Sequence, residues 1–447
     1  VPDLLSTARR IAAAAGADEQ IEAYVSWGRD THVRAYDGSI ESLSSAETTG
    51  VGVRVVVGKR QGFAYVGSLE GDGPQEALAE ARDNASFATE DEHVGLAVPD
   101  AVDPVDLDLW RDELVAASVA AKTELALDLE KRARSADSRL RSVVEADYAD
   151  AAIEFAIAAS TGIEATGRRT RCHVATEVIA NDGRGDQSGY GYSVGRAPSE
   201  LDLDDAAQKA AVRATRLLGA TKPASRTLTV VLDPRVTATL LGVLASTLSG
   251  EEVAKGRSLF AGRVGEEVGS PALHLVDDPT DQEALGAARV DSEGLACRRN
   301  VLIDGGRLTG YLYDTYAGRL AGVPSTASAV RAGFKSTPGV GARALALRPG
   351  DHDQDAILRQ VADGLYVQHV KGVHSGVNTV SGDFSVGAEG LLIRGGTFAE
   401  PVREITVAST IQRMLQHVIL IGSDLEWLAG NACGLTIAIG DMSMGGI

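Results

Sequence analysis

Hydrophobic and polar positions change period several times along the chain, and each change marks an element. Residues 3–15 carry apolar positions three and four apart and run up to Gly16, the spacing of an amphipathic helix. The run EAYVSWGRDTHVRAYDGSIESL then alternates as strands do, and Asp37-Gly38 within it is a hairpin turn signal. TTGVGVRVVVGKRQGFAYVGSL continues the meander as two strands joined at GKRQG, and Pro74 opens a helix, PQEALAEARDNASFA. EDEHVGLAVPDAVDPVDLDLW is polar, proline-bearing and aperiodic, which predicts a linker. One long helix is expected from about Asp112 to Ser135, followed by alternating runs that predict antiparallel strands up to about residue 182. LDLDDAAQKAAVRATRLLGA reads as a helix ending at Gly219, and TKPASR as a second linker. TLTVVLDP (227–234) is a buried strand and RVTATLLGVLASTLSGEEVAKG a helix with a loop after it. The rest is rich in short strands and glycine turns, including GRLTGYLYDTYAGRLAG, a strand running into a short helix.

These patterns predict an α+β protein of three parts. An N-terminal antiparallel sheet with helices occupies 1–92, a middle domain of helix and strand 110–219, and a large strand-rich C-terminal domain 226–447. Length agrees, since 447 residues leave room for two or three domains. Aromatic residues are only 4% of the chain against 44% apolar, so Ala, Val, Leu and Gly must fill the core.

The net charge of −19 disfavours non-specific binding to nucleic acid or an anionic membrane, and no basic run resembles a phosphate-tracking stripe. No stretch is long and apolar enough to span a bilayer, and VPDLLSTARRIAAAAGADEQ reads as an amphipathic helix rather than a signal peptide. Three scattered cysteines (Cys172, Cys297, Cys433) do not suggest a disulfide framework, so a reducing cytoplasm is expected.

Candidate chemistry is sparse. The eight histidines are spread out and no H-E-x-x-H pair occurs. His369 and His374, five apart in a strand-like run, should face opposite sides and share no metal. His352 in GDHDQD reads as a solvated acidic turn. HSG at 374–376 with Asp383 has the residue types of a serine triad but no G-x-S-x-G elbow. Neither Cys433 nor Cys297 has the setting that activates a thiol. GVGVRVVVG has no P-loop Lys and no dinucleotide-site context. VHSGVNTVSGDFSVGAEG (373–390) is left. As a strand it would group Ser375, Val377, Thr379 and Ser381 on one face. Its glycines would let another backbone approach, either an extended peptide or a packed sheet.

That segment, extended to GVHSGVNTVSGDFSVGAEGLLIRGG, resembles the signature of the TldD/PmbA family, also called the modulator of DNA gyrase family, in its PmbA (TldE) branch. VRAYDGSIESLSSAETTGVGVRVVVGKRQGFAYVGSL is similar to the family's first domain. VVLDPRVTATLLGVLASTLSGEEVAKGRSLFAGRVGEEVGSPALHLVDDPT, RVDSEGLACRRNVLIDGGRLTGYLYDTYAGRLAG and FAEPVREITVAST are similar to its last. The resemblance implies a cytoplasmic heterodimeric metalloprotease acting on peptides held as extended strands. Its TldD subunit carries zinc on an H-E-x-x-x-H helix and a C-terminal Cys. In LLGVLASTLSGEE the first His position falls at about Gly242, the Glu at Val243 and the second His near Ser246 or Thr247; only Cys433 matches a ligand. The expectation is therefore a chain with no catalytic residues, no metal ligands and no cofactor of its own, zinc being held by a TldD-like H-E-x-x-x-H partner. The family pattern further suggests Tyr311, Tyr313 and Asp314, with Ser375, Asn378 and Asp383, as residues lining a peptide cleft. The rival expectations are an autonomous hydrolase of a peptide or modified small molecule, and a peptide-binding homodimer without a peptidase role.

Overall fold

The structure is a computed structural model that describes residues 3–183 and 185–447. It is α+β, with strand outweighing helix at 40% against 24%. The chain opens with helix α1 (Leu4–Ala12), whose N-terminus is capped by the Asp3 carboxylate accepting from Ser6 N at 3.0 Å. A hairpin follows, β1 (Glu19–Tyr36) and β2 (Ser39–Val57), turning at Asp37 and Gly38, both at positive φ. β3 (Arg60–Val66) and helix α2 (Gly73–Phe87) complete the first segment.

β4 (Leu140–Ala159), β5 (Glu164–Asn181) and β6 (Asp186–Gly195) extend the same sheet in the order β3-β2-β1-β4-β5-β6, every pair antiparallel. The sheet thus takes strands from both sides of residues 88–111. Its core is built from small residues, and the glycines show how. A Cβ at Gly62 would lie 2.0 Å from Ala81 O of α2. One at Gly191 would lie 1.8 Å from Ala206 O of α5 (Leu203–Thr215). Alanine-faced helices ride directly on glycine-bearing strands, so few aromatic rings are needed.

Two expectations change here. The helix predicted over 112–135 is two helices, α3 (Asp112–Ala116) and α4 (Val119–Ser135). Ala117 is extended and Ser118 accepts from Ala121 N at 3.1 Å as a new N-cap, the local side-chain bond by which serine competes with helix. Residues 88–111 form no helix or strand, as a linker should, yet they are packed. Leu96 is buried beside Tyr24 and Phe334, and Leu109 beside Ala284 and Ala344. Single buried anchors in a polar strap leave no periodic signal.

The C-terminal part is centred on a second sheet. Its order is Thr397–Thr410, Asp383–Arg394, Gly364–Lys371, β7 (Arg226–Leu232), Ile437–Gly445 and Val418–Ile421. Pairing of Thr406 with Gly445 closes the first five strands on themselves. Helix α6 (Pro234–Thr247) follows β7 and buries Leu240, Leu241 and Leu244 in the core of this part. Helices α7 (Gly250–Ala254) and α8 (Thr315–Ala321) lie beyond it. Among the described residues no helix is long and apolar enough to cross a membrane.

Candidate functional site

The first turn of α6 is fixed by a buried polar cluster. Pro234 supplies a preset φ, and the Asp233 carboxylate accepts from Arg235 N at 3.0 Å. Asp233 also accepts from the Arg213 guanidinium at 3.1 Å and from Tyr366 OH at 2.7 Å. These bonds tie α6 to α5 and to the barrel. With its leucines buried, the opposite face of α6 presents Arg235, Ala238, Thr239, Gly242 and Ser246 to a cleft of about 640 Å³. Tyr190 and Tyr192 of β6 and His173 of β5 form the facing wall, and residues 428–432 and 340–342 close the ends.

The cleft is aromatic and lightly polar. The Arg235 guanidinium lies 3.8 Å from the Tyr190 ring centroid. Tyr192 OH donates to Glu426 Oε1 at 2.6 Å; burial, reinforced by that carboxylate, pushes the phenol pKa up. Burial and the Arg171 charge push His173 below its ordinary value, so it is neutral at pH 7. A wall of this kind suits an extended chain, with rings to cover side chains and a small-residue helix face that leaves room for a backbone.

Sequence reasoning overlooked this wall. Tyr190 and Tyr192 stand two apart in SGYGYSV, the spacing that puts both rings on one strand face, and that signal was available. The residues proposed from the family pattern lie elsewhere, and none of the six lines the cleft against α6. Tyr311 is buried and donates to Phe260 O at 2.5 Å. Tyr313 is half-buried, its ring edge-on to Tyr311 and against Gly250. Asp314 is buried as the N-cap of α8, accepting from Ala317 N at 2.7 Å. Residues 311–314 form no continuous strand, with Leu312 bridging to Ser249.

Residues 373–382 are likewise not a strand. Gly372 and Gly382 take positive φ, residues 373–376 form one helical turn, and the strand begins only at Asp383. The face grouping of Ser375 with Val377, Thr379 and Ser381 therefore does not form, and His374 lies on the helical turn rather than in strand register with His369. Ser375 donates to Gly372 O at 3.2 Å. Asn378 Oδ1 accepts from Val380 N and Ser381 N at 2.9 and 3.1 Å. Asp383 accepts from Ser381 Oγ at 2.7 Å. All three are exposed and hold the turn together. The two groups of proposed residues do border one segment: Leu259 N donates to Thr379 O at 3.2 Å, next to the Phe260 carbonyl that Tyr311 bonds.

The positions at which the resemblance would place zinc ligands lie on α6 and at Cys433. Gly242 and Ser246 line the cleft, Val243 is half-buried, and Thr247 is buried with its hydroxyl on Leu244 O at 2.7 Å. Cys433 is fully buried in the core, and burial pushes its thiol up to about 11. Among the described residues no three His, Cys, Asp or Glu side chains converge as a metal site. A catalytic zinc takes three protein ligands, and this donor set does not fit one.

Models of three consecutive domains match the chain in order. They are the PmbA/TldA metallopeptidase domain 1 over residues 21–85, the central domain over 112–218 and the C-terminal domain over 225–446. A metalloprotease of Methanothermobacter thermautotrophicus is 27% identical over 92% of this chain and 90% of its own. Metalloprotease PmbA of Escherichia coli O157:H7 is 26% identical over 99% and 96%. The crystal structure of TldE from Thermococcus kodakarensis shares the fold, with a TM-score of 0.89 at 23% identity over 96% of this chain and 97% of that one.

Proposed function

This chain belongs to the PmbA/TldA metallopeptidase family, and from that premise we propose that it is the non-catalytic, TldE-like subunit of a two-chain zinc metalloprotease. One observation carries the reading. The α6 positions where the resemblance places two histidines and a glutamate hold Gly242, Val243 and Ser246 or Thr247 instead, and Gly242 and Ser246 line the cleft. The role left to such a surface is to hold substrate. A peptide would lie extended between α6 and the Tyr190–Tyr192 wall, its backbone near the small residues of α6 and its side chains against the rings. The partner would hold the zinc. Three free, buried cysteines support work in a reducing compartment such as the cytoplasm.

The test mixes this chain with an H-E-x-x-x-H family member and measures peptide cleavage, alongside zinc content of this chain alone by elemental mass spectrometry. Cleavage should rise well above that of the partner alone, and the isolated chain should hold far less than one zinc. No gain on mixing would overturn the subunit reading, and stoichiometric zinc with turnover by the isolated chain would replace it with an autonomous hydrolase.

A further inference from the structure

A second cavity, of about 330 Å³, lies where the first sheet meets the C-terminal part. Its floor is one cross-strand row. Thr48 of β2, Gly28 of β1, Ile153 of β4 and Arg169 of β5 are successive register partners, and all four line it. Beside this row, Tyr24 and Phe155 stack at 5.5 Å with their planes 14° apart. The roof comes from the C-terminal part and brings Ser292, Arg331, Phe334 and Arg343.

The cavity's charges are out of balance. Arg331 is neutralised, bonding Glu22 at 2.7 Å with its guanidinium 4.5 Å from the Tyr24 ring centroid. The guanidinium of buried Arg343 donates to neutral oxygens, Ser292 Oγ and Ala329 O, both at 2.9 Å; Asp277 accepts from the Arg343 backbone N at 2.9 Å, and the Asp277 and Asp291 carboxylates act on the guanidinium through space. Arg169 is half-buried, and among the described residues its guanidinium has no hydrogen-bonding or ion-pair partner. Burial and the neighbouring Arg343, Arg171 and Arg196 cations depress its pKa to about 10. Lys335 and Asp30, both exposed, stand at the rim with opposite signs.

Even partial desolvation of a cation without a counter-charge is costly, and here two guanidinium groups, half-buried Arg169 and buried Arg343, face one cavity without a carboxylate bonded to either fork. A guanidinium is a planar fork that matches a carboxylate or phosphate through two hydrogen bonds. We propose that this cavity binds a small oxyanion-bearing molecule, its anionic group on Arg169 and Arg343 and its body against the Tyr24–Phe155 rings. The size and the aromatic wall limit the ligand to a compact molecule rather than a folded partner. This site is separate from the α6 cleft and does not depend on the peptide-holding reading.

The experiment uses the whole isolated chain with two probes, sodium benzoate and inorganic phosphate, each against sodium chloride of equal ionic strength. Thermal unfolding and titration calorimetry are measured for wild type, Arg169→Gln and Arg168→Gln. Arg168 is exposed, stands over Trp110 and controls for loss of a charge. At least one probe should bind wild type and Arg168→Gln saturably and raise their unfolding midpoints. Arg169→Gln should bind about tenfold more weakly or worse, the loss expected for a charge-assisted bond. Benzoate alone would assign a carboxylate on an apolar body; phosphate alone would assign a phosphate group. Binding undiminished in Arg169→Gln, or no saturable binding of either probe to wild type, would overturn the proposal.

Discussion

Asp314 shows how much of a residue's meaning lies in its surroundings. The family pattern suggests a cleft carboxylate, whereas the fold makes it the buried N-cap of α8, bonded to Ala317 N. Burial, and then the nearby Glu293 charge, push its pKa up to about 6. A carboxyl whose folded value lies above its unfolded value favours the native state most at pH below about 4. That contribution fades as pH rises through about 6. Asparagine caps as well as aspartate and carries no charge. Asp314→Asn should therefore match wild type near pH 4 and equal or exceed it at pH 7.5. Asp314→Ala, which loses the cap, should be less stable by about 1 kcal/mol at both. Urea denaturation at the two pH values measures this, and an Asn variant weaker at pH 7.5 than at pH 4 would show that the charge itself is needed.

At the scale of elements, the sequence was most readable where one period runs long. Strands β1, β2, β4 and β5 each extend over 18 to 20 residues, and the stretches of alternation within them and the turn at Asp37-Gly38 predict strands from pattern alone. It was least readable where one residue interrupts a period. Nothing in the apolar spacing of 112–135 announces the break at Ser118, because the flanking turns stay in phase with a single helix. The 373–382 turn was hidden likewise, since Gly372 and Gly382 leave the alternation intact on paper while reversing the chain. Helix α6 was legible as a helix, but which face met a cleft was not, because α6 is apolar on one side and small on the other. That face gives an element-scale prediction. Gly242 is exposed and a Cβ there meets nothing within 4 Å, so Gly242→Ala should stabilise the protein by about 0.5–1 kcal/mol. Gly242→Trp should still fold, yet its bulk projects into the cleft and should abolish the gain in peptide cleavage on mixing with the zinc-bearing partner. A Trp variant that supports full cleavage would remove α6 from the substrate path.

Across the whole molecule, the first sheet and the C-terminal part are joined by charge as well as by packing. Arg54 of β2 bonds Glu22 of β1 at 2.6 Å and Glu293 at 3.2 Å, and Arg331 closes the chain onto Glu22 at 2.7 Å. Glu22 and Glu293 are each 1% exposed and Arg54 5%, so water cannot replace a lost partner. Sequence could not reveal this network, because its members are up to 309 positions apart and resemble solvated surface charges when read singly. Burial alone would raise the Glu22 pKa, but the Arg54 and Arg331 cations outweigh it and hold it below the ordinary glutamate value. In wild type this group therefore contributes stability above its unfolded pKa that is lost as pH falls through the lower folded value. Arg54→Met removes the central cation, leaving Glu22 bonded to Arg331 and the buried Glu293 with only the Thr315 backbone N–H. The loss should be about 3–5 kcal/mol at pH 7.5, the range for breaking a buried ion pair from one side. The sign of the pH dependence then changes. With Arg54 gone, the burial that Arg54 had offset raises the Glu22 pKa in the folded variant above its unfolded value. Its stability should then rise as pH falls toward 5, and the deficit relative to wild type should shrink. High salt should restore little, because the pairs are out of contact with solvent. Urea denaturation of both proteins between pH 5 and 8 tests this; a pH-independent deficit, or one below about 1 kcal/mol, would mean the junction rests on apolar packing such as that of Leu96, Tyr24 and Phe334 instead.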